Sequence, residues 1–477
     1  MSRIWAVALA ACIGGCAMVG PDFVQPESQV QSDWIQALSV VPVPAEQVSS
    51  DVFWSRFGDP TLVELIAQAK LNSPTLRSTL ETVTQAQSQV RADQGNQLPS
   101  VTLSSGSNRN KESYYEGANQ GATSTTTTKQ LAGQASWELD FWGRLRRTTA
   151  SDMAALQGSK AGFAAARISL EASVASAYCN VRMMERRIEV AEKNLAQQKE
   201  NKRIAEVKWR RGATSELDYQ QAQSQYEQTR SQLPALRQSL EQYQHALSVL
   251  VGETPDYFAR SKPALTGLPS APAALPIGAP RDLLRRRPDL LQAEYTAVSQ
   301  SERIGVAQAA LYPTFTLTGS LGYTATGNMF NWDSRSLQYG AGLSLPIFDR
   351  GVLKSQVQIQ DSLFRQAVLN YQNLVLTAQQ GVEDGLSSVV GQKGQVEHLT
   401  LADAAAQRAT RLAMDQYRAG QVDYTTVSSA EQTRANTSDS LVQAQGGVLQ
   451  AYINLFVAIG GGWEPDIPRP DSKGVPQ

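Results

Sequence analysis

Two helix-hairpin turns collect most of the side chains in this sequence that could do chemistry. The stretch Trp209 to Ala222 (WRRGATSELDYQQA) brings Arg210, Arg211, Glu216 and Asp218 into one turn. The stretch Tyr417 to Ala430 (YRAGQVDYTTVSSA) brings Tyr417, Arg418, Asp423 and Tyr424 into another. Guanidinium, carboxylate and phenol groups at this spacing make ion pairs and hydrogen bonds; they lack a nucleophile with an activating base. Two readings fit. Gly ends one helix and Ser or Asp starts the next, so the residues are caps. Alternatively, several such hairpins converge and the same residues form a polar ring.

Nothing else in the chain suggests an enzyme. The two histidines, His245 and His398, each stand alone on a helix and lack the partners a metal site needs. Phosphate loops, dinucleotide-binding glycine fingerprints and nucleophile elbows are missing. The stretch IGGGW, Ile459 to Trp463, reads as a helix C-cap. The expectation is a non-enzyme with no cofactor and no metal.

Cys16 is the remaining candidate for chemistry. Arg3 is followed by an apolar run from Ile4 to Ile13 and then Gly14-Gly15-Cys16. That run is a secretory signal, too short to cross a membrane as a helix. The small residues before Cys16 resemble a bacterial lipobox, whose cysteine becomes the acylated N-terminus, although Ile13 stands where Leu is more usual. Of three cysteines, Cys12 leaves with the signal, and Cys179 reads as a small buried packing residue.

The elements that must position the two turns are unusually long. From Leu131, apolar Leu131, Gly133, Ala135, Trp137, Leu139 and Phe141 alternate with Gln134, Ser136, Glu138 and Asp140, a half-buried strand. After Gly143 the period becomes helical and holds to Gly212, about 68 residues or roughly 100 Å. The pattern returns in the second half. LDFWGR at Leu139 matches LPIFDR at Leu345, 206 positions on, and WRRG ending at Gly212 matches YRAG ending at Gly420, 208 on. SPTL at Ser73 and QLPS at Gln97 match RPDL at Arg287 and LYPT at Leu311, both 214 on. Anchors in one order at nearly one offset mean a tandem duplication. Each repeat reads helix, strand, loop, strand, very long helix, turn, helix.

Four strands carry one apolar and one polar face: the stretch from Pro99 with Val101 and Leu103, the Leu131 strand, Phe315 to Tyr323, and Leu337 to Leu345. A polar loop, Gly106 to Thr128, joins the first two. Their length and dyad alternation suit a membrane β-barrel. Four strands cannot close one, and an open edge in lipid leaves backbone groups unpaired. The barrel must therefore be shared by at least two copies. Along the helices, Leu170, Val174, Ala177, Val181, Met184, Ile188, Ala191 and Leu195, with Tyr219, Ala222, Tyr226, Thr229, Leu233, Leu236, Leu240, Tyr243, Leu247 and Leu250 on the return helix, step by three and four. That period calls for supercoiled neighbours. The second repeat's seam, Val382, Gly385, Val389, Val396 and Leu399, is smaller and blurrier.

The organisation follows: residues 1–15 signal, 16–58 extended leader, 59–254 first repeat, 255–280 a linker with six prolines, 281–462 second repeat, 463–477 irregular tail. Formal net charge is −1, so no polybasic footprint for nucleic acid exists, and no stretch reaches eighteen consecutive apolar residues.

The pieces CAMVGPDFVQP at Cys16, FWSRFGDPTL at Phe53, LDFWGR at Leu139, LLRRRPDLLQAE at Leu283, ALYPTFTLTGSLGY at Ala310 and LPIFDRG at Leu345 carry a resemblance over essentially the whole chain. The sequence resembles the TolC-like outer-membrane factor family, within it the NodT-type lipoproteins of tripartite efflux pumps. The resemblance implies an α+β channel: a homotrimer sharing a twelve-stranded barrel in outer-membrane lipid, continued by a periplasmic helical tunnel. It implies small-molecule export with a periplasmic adaptor and an inner-membrane RND-type transporter. The alternative on the same fold is the channel of type I protein secretion. It further implies a gate at the two turns, with Asp218 on a family gate acid and Tyr417 on a gate tyrosine. Ser429 stands where relatives often carry a constricting Asp, and Val422 where some carry an Arg. Asp423 is the acid available to substitute.

Overall fold

The computed structural model describes residues 18–35, 50–113, 123–260, 267–272, 286–327, 329 and 331–463. Cys16 and the signal lie outside them, as do residues 261–266 and 273–285 around the Pro-rich linker and the tail from 464. Short helices α1 (Ser50–Ser55), α2 (Pro60–Asn72) and α3 (Pro74–Asn96) lead into strands β1 (Ser100–Ser113) and β2 (Thr123–Leu139). Helices α4 (Arg144–Arg210) and α5 (Glu216–Leu250) complete the first half. After one helical turn, α6 (Tyr257–Arg260), the second half repeats the order: α7 (Pro288–Ala309), β3 (Thr314–Ala325), β4 (Arg335–Ser344), α8 (Val352–Arg418) and α9 (Tyr424–Ala458).

The four strands form one antiparallel sheet in sequence order. Its register gathers the apolar positions into rows on one face: Leu103, Gly133, Leu321 and Leu337; Val101, Ala135, Gly319 and Tyr339; Leu139, Phe315 and Leu343. Gln134, Ser136, Thr316, Thr318 and Gln338 take the other face. From the Leu131–Tyr323 row to the Leu139–Phe315 row the apolar face runs about 27 Å along the strand at ~3.4 Å per residue. At barrel tilt that covers roughly 20 Å of height. Phe141, T-shaped on Phe315, and Trp142, stacked on Tyr312, extend it at the end where the helices begin. One correction concerns the first hairpin. The stretch expected as a loop from Gly106 to Thr128 is largely strand, paired out to Ser113 opposite Thr123. The β-branched run Thr125 to Thr128 favours extended backbone, and each residue finds a cross-strand partner.

Helices α4 and α8 are both 67 residues long, and α5 and α9 both 35. Each long helix is launched by an aspartate: Asp140 accepts from the Arg146 amide at 2.9 Å, and Asp349 from the Leu353 amide at 2.8 Å. Pro234 lies inside α5, which continues through it despite losing one backbone donor.

The main core sits midway, where α1 and α2 pack on α4 and α9. Phe53 stacks on Phe456 with centroids 4.0 Å apart, beside Trp54 and Phe57. On the seam Val174, Ala177, Val181, Met184 and Ala191 are buried, as are Ala222, Thr229, Leu233 and Leu247, while Leu170, Ile188, Leu195, Tyr219, Tyr226, Leu236, Leu240, Tyr243 and Leu250 are half-buried. Polar groups are paired within it: Trp54 donates its indole N–H to Glu171 at 3.0 Å, and Tyr178 its hydroxyl to Asp59 at 2.5 Å, while the buried Tyr452 hydroxyl makes no hydrogen bond among the described residues. Cys179 is buried here, and desolvation pushes its thiol up to about 12, so it packs rather than reacts.

The leader from residue 18 lies extended along the helices. Phe23 is buried against α7, Gln25 donates to Glu294 at 2.8 Å, and Gln31 donates to Glu383 at 2.9 Å. Buried Arg147 holds Asp22 at 3.1 Å and Glu302 at 2.8 Å, joining leader, α4 and α7.

Candidate functional site

The two turns lie together at the end of the long helices farthest from the sheet. Their backbones are copies. Gly212 and Gly420 both take left-handed φ, +69° and +75°. Behind them Ala213 N–H donates to the Lys208 carbonyl at 2.8 Å and Gln421 N–H to the Gln416 carbonyl at 2.9 Å. This is the Schellman solution to the last carbonyls of a helix.

The side chains differ. Ser215 caps α5 by accepting from the Asp218 amide at 3.4 Å. Asp218 is buried and accepts from the Thr214 hydroxyl. The buried Tyr417 hydroxyl lies beside Thr214 and Asp218 without a hydrogen bond of good geometry to either. Burial foremost, and the nearby Asp218 carboxylate, raise the Tyr417 phenol above its ordinary value, so it stays a neutral donor. Tyr424 is buried edge-on against it, centroids 5.3 Å apart at 75°, and burial raises its phenol too. Asp423, at the start of α9, makes no side-chain cap and is exposed, as are Arg418 and Ser429.

The arginines do not reach these acids within the chain. Arg210 pairs with Glu206 at 2.6 Å and Arg418 with Asp415 at 3.5 Å, each on its own helix. Arg211 is exposed at the end of α4. The cation that does cross between the hairpins is Lys208, which donates to the Tyr417 carbonyl and lies 4.4 Å from the Tyr417 ring centroid.

Above Lys208 a polar seam joins α4 to α9. Asn201 donates to Glu431, both buried. Arg434 donates to Asn194 at 2.7 Å, and Arg187 holds Asp439 through two bonds of 2.7 and 3.0 Å. Burial raises the Glu431 carboxyl above its ordinary 4.5, against the opposing pull of Asn201 and Arg434. Lys208, Thr214, Asn201 and Glu431 are not among the residues that the sequence singles out. A signal existed for some of them: Asn194, Gln198, Asn201 and Ala205 step by four, three and four, polar groups occupying seam positions.

A sheet with one lipid-suited face and two unpaired edges, running without a break into helices about 100 Å long whose ends carry paired polar hairpins, defines one protomer's share of an outer-membrane channel. The comparisons agree. A family model described as outer membrane efflux protein matches residues 65–253 and 279–461, one match for each half of the duplication. The chain belongs to that family. It is 27 % identical to nodulation protein T of Rhizobium leguminosarum bv. trifolii, over 95 % of this chain and 96 % of that one. It is 31 % identical to the pyoverdine export outer membrane protein OpmQ of Pseudomonas aeruginosa, over 88 % and 89 % respectively. The solved outer-membrane channel OprN superposes with a TM-score of 0.85 at 26 % identity, covering 94 % of this chain and 100 % of that one.

Proposed function

We propose that this protein is the outer-membrane exit duct of a tripartite efflux pump, passing drugs or other small molecules from periplasm to exterior. The observation that carries this reading is the unbroken passage from a lipid-facing sheet into long helices whose far ends are tied by the Lys208–Tyr417 and Asp218–Thr214 contacts. Three copies of the four-stranded sheet close a barrel of twelve strands and remove every edge from lipid. The helices of three copies continue it as a tunnel across the periplasm.

The tip is the gate. Asp218, Tyr417 and Tyr424, with Lys208, hold the hairpins of one protomer together. Exposed Asp423, Arg210, Arg211, Arg418 and Ser429 face outward from it, available to neighbouring copies or to a periplasmic adaptor. The adaptor opens the end by supplying competing contacts, a population shift, and an RND-type inner-membrane transporter supplies substrate. Cys16 is the lipid attachment site. In the sequence a single residue, Ala17, stands between it and Met18. Met18 packs so closely on Gly143 that a Cβ there would fall 2.6 Å from its Cγ, and Val19 N–H donates to the Trp142 carbonyl at 3.1 Å.

The 31 % identical relative named for pyoverdine export favours efflux over protein secretion as the role. The test is complementation in cells lacking their outer-membrane exit ducts. Expression of this chain restores dye efflux through a proton-driven pump; restoring secretion of a protein substrate and not dye efflux would reverse the assignment.

A further inference from the structure

The outward face of the sheet does not end in neutral polar residues at its extracellular edge. We infer that this edge binds the phosphates of the outer leaflet's phosphorylated glycolipid through a ladder of four cations. The inference rests on the barrel reading above. Register and alternation place the ladder. Leu131, Tyr323 and Arg335 share the last apolar row, with Arg335 directly opposite Tyr323. One outward position higher on β2 stands Lys129, opposite Ser107. The next two outward positions on β1 are Arg109 and Lys111, opposite Thr127 and Thr125.

All four have the parity of the apolar face, so they point toward lipid and its headgroups rather than into the lumen. Outward positions are about 6.8 Å apart along a strand, which brings Arg335 and Lys129 to the headgroup layer and Arg109 and Lys111 into the sugars above. Among the described residues none of the four makes an ion pair. Among the described residues the carboxylates of this end stand elsewhere: Glu112 has lumenal parity, and Asp333 lies in the Trp332–Ser334 turn. Arg335 is held in place by the Trp332 ring, 4.1 Å from its guanidinium, with its N–H fork open. Such a fork suits a phosphate monoester. At the helix end of the sheet Arg144 is engaged with Glu138 at 2.8 Å and Arg146 with Asp140 at 3.4 Å.

The full-length protein in detergent is titrated with diphosphoryl lipid A and with the same glycolipid stripped of both phosphates. The phosphorylated form is expected to bind tighter, and to lose affinity as salt rises. Lys129→Gln with Arg335→Gln is expected to lower its affinity on the order of fivefold for each cation removed. Arg109→Gln with Lys111→Gln, above the apolar band, provides a second variant remote from barrel packing. Equal binding of the stripped glycolipid, equally effective competition by inorganic phosphate, or unchanged affinity in both double variants overturns the inference. Heat-modifiable migration of the same samples reports the barrel separately; its loss in the unsubstituted protein overturns the channel reading itself.

Discussion

Lys208 of α4 donates its ammonium to the backbone carbonyl of Tyr417 on α8 and stands 4.4 Å from the centroid of that tyrosine's ring. One side chain therefore ties the last turn of the first repeat's long helix to the last turn of the second's. It does so where the helix-end carbonyls carry partial negative charge.

Removing that tie should loosen the tip. Lys208→Met keeps the stem and removes the charge, costing about 1–3 kcal/mol of closure from the lost charged hydrogen bond and cation–π contact. Single-channel conductance in planar bilayers is expected to rise. A conductance matching the unsubstituted protein would mean that the two hairpins are held by other contacts.

The two turn aspartates should behave differently. Asp218 is buried with Thr214 beside Tyr417, whereas Asp423 is exposed and uncapping. Asp218→Asn is expected to raise conductance. Asp423→Asn is expected to lower cation preference with conductance nearly unchanged, because a ring of exposed carboxylates acts on ions through the field. If both substitutions together alter neither quantity, these residues are helix caps and the gate lies elsewhere.

Glu431 should make closure pH-dependent. Its carboxyl is held above the ordinary 4.5 by burial, and it faces Asn201 of α4 with Arg434 and Tyr424 of its own helix. Between the ordinary and the raised value, the packed seam keeps a proton that a solvated Glu431 has lost. Closure is therefore strongest below that interval and weakens as pH rises through it. Glu431→Gln, neutral at every pH, should flatten conductance across the interval; an unaltered profile would assign the dependence to another group.

The sheet register is open to a charge scan. Leu317→Arg and Leu343→Arg put a cation on the lipid face and should impair assembly by about 2–4 kcal/mol near the midplane. Thr316→Arg, on the opposite face, should assemble and change conductance. Equal tolerance at the three positions contradicts the assigned faces.

Lipidation should assist membrane residence without deciding it, since a closed barrel embeds on its own while acyl chains add about 0.8 kcal/mol per buried CH₂. Cys16→Ser behind a cleavable signal is expected in the outer-membrane fraction, recovered in smaller amount. Recovery wholly in the soluble periplasm would count against the barrel as well as the lipid.

Much of this fold is legible in the sequence because its determinants are local. Alternation along Phe315, Leu317, Gly319 and Leu321 sets the face of a strand whatever its neighbour, and the sheet keeps that face throughout. A proline-free helical period from Gly143 to Gly212 sets the length of α4, since each backbone bond closes within four residues. The duplication then supplies the second half. The first hairpin was harder: a polar Thr-rich run reads as a loop until its partner strand is known, because strand pairing is not a local property.

Tertiary structure alone decided which tip residues meet. Arg210 and Arg418 looked free to pair with Asp218 and Asp423, yet each finds an acid on its own helix, where a partner three or four residues away is always within reach. Lys208 and Tyr417 are joined across the two halves of the duplication, as are Asn201 and Glu431. Whether such groups touch depends on the axial stagger and rotation of two 100 Å helices, quantities of order one turn or less set by packing along their whole length. The sequence lists the groups at the tip; only the packed helices choose the pairs.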